Sequence, residues 1–154
     1  MLSVNTYNLQ KDFPVDLPLM ENVASLFCAK HCPSAISLDI TFVDEEKSAL
    51  LHGQYFNDKT PTDCMTFPVD TPESSEAVLG EIVICPSVAK KQAQEHKTYY
   101  KKEIARYLVH GLLHMLGYED MTQQQQSIIR AQEDLFFTHL LEKKPLINKC
   151  LYAL

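Results

Sequence analysis

The sequence has no long hydrophobic run. Its apolar stretches are a few residues each, well short of the roughly 20 that a helix needs to cross a bilayer. No membrane segment or membrane partner is therefore expected. Residues 1–10 lack the basic region and following apolar stretch of a secretory leader. The expected location is the cytoplasm. Positive charge is in deficit, with 14 Lys and Arg against 20 Asp and Glu and a net charge of -6. That balance argues against a protein that coats nucleic acid non-specifically, and no DNA partner is expected. Internal repeats are absent, and the one biased segment, 123–126, is four glutamines in a helical context. Disulfides are not expected either. Five cysteines, at 28, 32, 64, 85 and 150, are an odd number in a chain read as cytoplasmic. Only Cys28 and Cys32 are close, at i,i+4 spacing beside His31. A zinc site there needs two more ligands, so both are read as small apolar helix side chains.

What is present is enough for one domain spanning 1–154, because 45% of the residues are hydrophobic and can bury a core. Residues 2–7 alternate weakly and read as a strand. Residues 17–29 carry Leu19, Val23, Leu26 and Phe27 at helical spacing, with Pro18 near the start where proline is tolerated. The segment 36–43 sets Ile36, Leu38, Ile40 and Phe42 against Ser37, Asp39 and Thr41, a strand with one buried face. Asp44 caps a short helix through Leu51, and 57–62 is a polar loop with a proline. Residues 64–67 form a short strand ended by Pro68, 69–77 a polar loop, and 79–85 a further strand stopped by Pro86. Helices follow at 87–96 and from a Thr98 cap to Leu116, the second ended by Gly117 in the left-handed position. Another runs from 122 to 141 with Ile128, Ile129, Leu135, Phe136 and Leu140 on its apolar side, and the tail from Lys143 has no clear period. The fold class is α+β, a mixed sheet of about four strands with about five helices.

Lysines gather at Lys90, Lys91, Lys97, Lys101 and Lys102, with Arg106 beyond. The ordinary reading is a solvated helix face. A local groove for a phosphate backbone is the alternative, since binding follows local field rather than total charge.

The helix before Gly117 carries the chemistry. At about 100° per residue, Ile104, Leu108, Leu112 and Met115 centre an apolar face that Ala105, Val109 and Leu116 widen. His110 and His114 fall opposite it, four residues apart, where side chains are neighbours. Two imidazole nitrogens so spaced can meet one zinc-like ion. Beyond Gly117 the chain can reverse and bring Asp120 back as a third ligand, with Glu119 the competitor. Two histidines and a carboxylate leave a coordination position open for water, a catalytic rather than structural pattern. The metalloprotease helix motif has a glutamate directly after its first histidine. Gly111 stands there, so a protease lacks its proton acceptor; the glycine is also expected to leave backbone open near the site.

Three blocks resemble the YbeY-type bacterial endoribonuclease family. His110-Gly-Leu-Leu-His114-Met-Leu-Gly117-Tyr118-Glu119-Asp120 is similar to the signature His-Gly-x-Leu-His-x-x-Gly-Tyr-Asp-His. Pro61-Thr62-Asp63-Cys64-Met65-Thr66-Phe67-Pro68 resembles Pro-Thr-Asp-Val-Leu-Ser-Phe-Pro, and Leu79-Gly80-Glu81-Ile82 resembles Leu-Gly-Asp-Ile. The resemblance implies a small α+β metal-binding fold, one Zn2+ ion and single-strand-specific endoribonuclease activity. It further implies a part in rRNA 3′-end maturation and 70S ribosome quality control, with ribosomal RNA and the ribosome or its proteins as partners. Asp63 and Thr66 are implied cleft residues, the plain alternative for Thr62 and Asp63 being a turn entering a strand. Two departures stand out. The family pattern has histidine at the position of Asp120. It also has an arginine after the aromatic that Tyr55 matches, and that position is Phe56, which cannot neutralise a phosphate. Lys59 and Arg106 are the cations nearest to hand as substitutes. The alternative to a nuclease is a non-catalytic ribosome-biogenesis factor with a structural metal.

Overall fold

The computed structural model describes residues 1–153. Its strands are β1 Ser3–Asn8, β2 Ala35–Phe42, β3 Cys64–Pro68 and β4 Ala77–Ile84, in sheet order β1-β2-β4-β3. β1, β2 and β4 run parallel, while β3 pairs antiparallel with β4. The mixed α+β sheet of four strands is thus as expected. The helices are α1 Leu17–His31, α2 Glu45–Phe56, α3 Pro86–Glu95, α4 Tyr100–Met115, α5 Gln123–Lys143 and α6 Pro145–Leu151. There are six among the described residues, one more than anticipated. The addition is α6, seven residues begun by Pro145, too short to show a hydrophobic period of its own.

α4 is the central element. It packs on β3, β4, α1, α3, α5 and α6, and Ile104, Leu108 and Leu112 on it are at most 2% exposed. They meet Leu38, Ile40 and Phe42 from β2 and Ile82 and Ile84 from β4 in one apolar cluster. A smaller cluster of Val43, Met65 and Val83, with Leu51 of α2 and Phe67, covers the other side of the sheet. Ser48 is fully buried on α2. Its hydroxyl donates to the Thr62 carbonyl at 3.0 Å and accepts from the Thr62 N–H at 3.0 Å. That pair of hydrogen bonds fixes the segment leading into Asp63.

Local differences from the sequence reading have physical causes. Ile36 is 38% exposed and Ala35 buried, because the β2–β4 register shifts between Ala35 and Asp39 and a one-residue slip exchanges the faces. The α4 N-cap is Tyr99, and the Thr98 hydroxyl instead bonds Glu103 at 3.2 Å. On α5 the buried stripe is Ile129, Glu133, Phe136, Phe137 and Leu140, while Ile128 and Leu135 are 47% and 58% exposed.

Gly111 does not open backbone to the site, as its sequence position suggested. It is buried, and a β-carbon there would stand 3.0 Å from Ile82 Cγ2, 3.1 Å from Cys64 Sγ and 3.2 Å from Thr66 Cγ2. The missing side chain lets α4 lie directly on β3 and β4. Gly111→Ala is expected to lower stability by about 1–3 kcal/mol through overpacking, read as a lower denaturant midpoint at unchanged slope. An unchanged midpoint would show that the strands yield without cost.

Candidate metal centre

The last turn of α4 closes as a Schellman motif. Gly117, at φ +103°, donates to the His114 carbonyl at 3.0 Å, and the Tyr118 N–H donates to Leu113 at 3.1 Å. Few residues other than glycine adopt that φ. The reversal sends the chain back over the open face of α4. Asp120 arrives beside both histidines: its Oδ2 is 3.1 Å from His110 Nε2 and 3.3 Å from His114 Nε2. Glu119 turns outward to the Gln125 amide at 3.1 Å. The two Nε2 atoms are 2.9 Å apart.

The outer ring nitrogens decide what this cluster can accept. His114 Nδ1 lies 2.9 Å from the Tyr118 carbonyl, which only accepts, so Nδ1 carries the proton. His110 Nδ1 donates to Glu133 Oε2 at 2.7 Å. In the neutral rings both Nε2 atoms then carry lone pairs, aimed at each other and at a carboxylate. Three acceptors converge with no donor between them, which is electrostatically unfavourable unless a cation or a proton sits among them. The donor set, two nitrogens and one oxygen within 4.8 Å of one another, fits a divalent ion such as zinc. A carboxylate or carbonyl behind each histidine is the usual support for metal-ligating imidazoles. The group can therefore hold a metal ion.

Sequence reasoning missed Glu133. It is 3% exposed, and it joins His110 to Arg106, whose Nη1 donates to Glu133 Oε1 at 2.8 Å. The signal was there: a carboxylate in the apolar stripe of α5, four residues after Ile129 and three before Phe136. Burial pulls the His110 pKa down, but the Glu133 hydrogen bond and the charges of Glu133, Asp120 and Asp63 together raise it above the ordinary value.

An open cleft of about 570 Å³ lies over the three residues. Asp63 and Thr66 line it, as do Phe56 and Cys64. Burial raises the Asp63 pKa, partly opposed by the nearby His110. Burial, reinforced by the charges of Asp63, Asp120 and Glu133, pushes the Cys64 thiol well up, so it stands there neutral. Asp63, Glu119 and Asp120 give the described lining three carboxylates, with no lysine or arginine. Neither cation suggested from the sequence substitutes for the missing arginine in this lining. Lys59 packs across the outer side of α2 with Gly53 and Gln54. Arg106 borders a neighbouring cavity with His110 and Asp120, but Glu133 and Asp134 hold its guanidinium at 2.8 and 3.0 Å. Cys28 and Cys32 are buried free thiols in the apolar core, apart from the histidine pair.

Fold and site together define a small α+β protein with a two-histidine, one-carboxylate group able to hold a metal ion. Residues 6–141 match the family model described as Endoribonuclease YbeY. The chain is 38% identical over 138 residues to Endoribonuclease YbeY of Protochlamydia amoebophila, covering 89% of this chain and 92% of that protein. With Endoribonuclease YbeY of Chlamydia trachomatis serovar D it shares 37% over 146 residues, 92% of this chain and 89% of the other. This chain belongs to the YbeY family. A solution structure of a Thermotoga maritima protein shares its fold at a TM-score of 0.60, with 21% identity over 92% of this chain and 94% of that one.

Two outcomes follow for a zinc titration by chelator competition. Glu133→Gln weakens the hydrogen bond that holds His110 and should lower affinity roughly 10–100-fold, with the helical circular dichroism retained. Affinity should also fall on acidification, because a protonated imidazole cannot ligate. Since the His110 pKa is raised, the loss should begin at a higher pH than for an ordinary histidine of about 6.5. Affinity independent of both would remove the metal reading.

Proposed function

We propose that this chain is a metal-dependent endoribonuclease acting on single-stranded RNA, with one Zn2+ held by His110, His114 and Asp120. Its place in the cell is rRNA 3′-end maturation and quality control of the 70S ribosome, in the cytoplasm, with ribosomal RNA and ribosomal proteins as partners. The observation that carries the reading is the convergence of three ligand atoms, two imidazole nitrogens and a carboxylate oxygen, in an open cleft. Relatives named endoribonuclease across nearly the whole chain support it.

A bound divalent cation supplies Lewis-acid chemistry at a phosphoryl oxygen or at water. The chain's own residues do the rest. Glu133 and the Tyr118 carbonyl hold the imidazoles in the ligating tautomer. Gly117 and the turn after it bring Asp120 to them. Asp63 sits beside the cluster with a raised pKa, and its carboxyl is the group placed to take or return a proton during phosphodiester cleavage. The Thr66 hydroxyl, in the same cleft, is available to orient a substrate oxygen. Purified protein should cleave single-stranded RNA in preference to duplex, lose activity to a chelator and regain it with zinc. Asp120→Ala should lose both metal and cleavage, while Asp63→Asn should keep the metal and lower kcat about 10²–10⁴-fold. Undiminished cleavage by metal-free protein would overturn the proposal.

One observation favours a second reading, a non-catalytic ribosome-biogenesis factor with a structural metal. Phe56 lies in the cleft lining at the position where the family pattern has arginine. If that reading holds, the wild type is inactive, and Phe56→Arg creates cleavage by restoring a cation to stabilise charge on phosphorus. Robust chelator-sensitive cleavage by the wild type would rule it out.

A further inference from the structure

The basic side chains around α3 and α4 divide into two groups. Lys91 pairs with Glu45 at 2.5 Å, Lys102 bonds the Tyr152 hydroxyl over the Phe137 ring, and Arg106 is held by two carboxylates. Lys90, Lys97 and Lys101 have no carboxylate partner among the described residues, and all three line one open groove of about 770 Å³. Phe13, Tyr99 and Tyr100 line it with them. Tyr99 is 46% exposed. Lys90 Nζ lies 5.3 Å from the Tyr100 ring centroid, and the Phe13 ring 6.0 Å from it. The one acidic side chain in the described lining, Asp16, is occupied in capping α1 through the Leu19 N–H at 3.1 Å. Three lysines less one aspartate give the side chains of the described lining +2 in a chain of net charge -6.

Unpaired ammonium groups interleaved with aromatic faces are the chemistry of single-stranded nucleic-acid binding: cations follow the backbone and rings stack the bases. An acidic protein segment would satisfy the lysines but gives the exposed Tyr99 ring no base to stack. The metal cleft, with three carboxylates and no lysine or arginine in its described lining, offers a phosphate backbone no lysine or arginine of its own. We propose that this groove is a second RNA-binding site, holding a single-stranded part of the substrate with phosphates on Lys90, Lys97 and Lys101 and a base on Tyr99. The inference rests on RNA being the substrate. Lys101 and His110 stand nine residues apart on α4, about 14 Å of axial rise and half a turn round the helix, and the groove and the metal cleft share no lining residue, so a strand engaging both has to wrap over the surface between them.

Binding is measured on the full chain with metal chelated, by anisotropy of a fluorescein-labelled oligouridylate over a salt series. Lys90→Ala/Lys97→Ala/Lys101→Ala should weaken binding and make the salt slope shallower by about 2, at roughly 0.7 per lost phosphate contact. Tyr99→Ala should cost about tenfold with the slope unchanged, and Lys91→Ala should change neither. In cleavage assays the groove variants should raise KM and leave kcat intact. Wild-type affinity and slope in the triple variant would overturn the proposal. So would equal affinity for duplex of the same sequence, or displacement of RNA by polyglutamate at matched charge, which would point to an acidic protein partner. A chain that binds RNA in the groove yet cuts none keeps this site and loses the catalytic reading.

Discussion

Glu133 is the residue on which the site's geometry depends. Its carboxylate is almost fully buried, and leaving a buried charge uncompensated costs several kcal/mol. Both oxygens are therefore occupied, one by Arg106 and one by His110. The first bond ties α5 to α4 by charge. The second fixes the His110 ring plane and its tautomer, and so determines that Nε2 faces the cleft with a lone pair. Arg106, held on its other side by Asp134, is then a structural cation, not available to substrate.

The second histidine is oriented by backbone. His114 bonds the carbonyl of Tyr118, four residues on, and that carbonyl is where it is because Gly117 takes a positive φ. The same turn delivers Asp120. One glycine thus sets the tautomer of one ligand and the arrival of another, while a buried ion pair sets the third. α4 can carry these groups because its remaining faces are packed, and Gly111 removes the one side chain that would hold it off the sheet.

The sheet and most helices were legible because their signals are clear: β2 alternates, β4 is a short apolar run stopped by Pro86, and proline and glycine mark the start of α3 and the end of α4. The pairing of His110, His114 and Asp120 was legible from helical spacing plus a glycine. Other features were hidden for physical reasons. α6 is shorter than a period can reveal. The β2 register shift that exposes Ile36 depends on its neighbour strand. Tyr118 acts through a carbonyl that every residue has. Gly111 reads as open backbone in one dimension and proves to be a contact in three. Glu133 was readable in principle, as a charge on an apolar stripe, but only once that stripe was centred on Ile129 and Phe137 instead of Ile128 and Leu135.

The two departures from the family pattern act in the same electrostatic direction. Asp120 in place of histidine makes the donor set more negative by one unit, and Phe56 in place of arginine removes one positive charge from the rim. A phosphate approaching this cleft therefore meets a field two units less positive than the family pattern supplies, and the described lining adds only carboxylates. Attraction of a polyanion falls with local charge, so the cleft can keep its donor geometry while losing much of its pull on RNA. The uncompensated lysines lie instead at the opposite end of α4, among the exposed Tyr99 and the half-buried Phe13 and Tyr100. Separating the cation demand of the metal cluster from the cations available to a phosphate backbone lets each be met without the other. An arginine beside His110 would have to compete for Glu133 and Asp120, the carboxylates that position and complete the cluster.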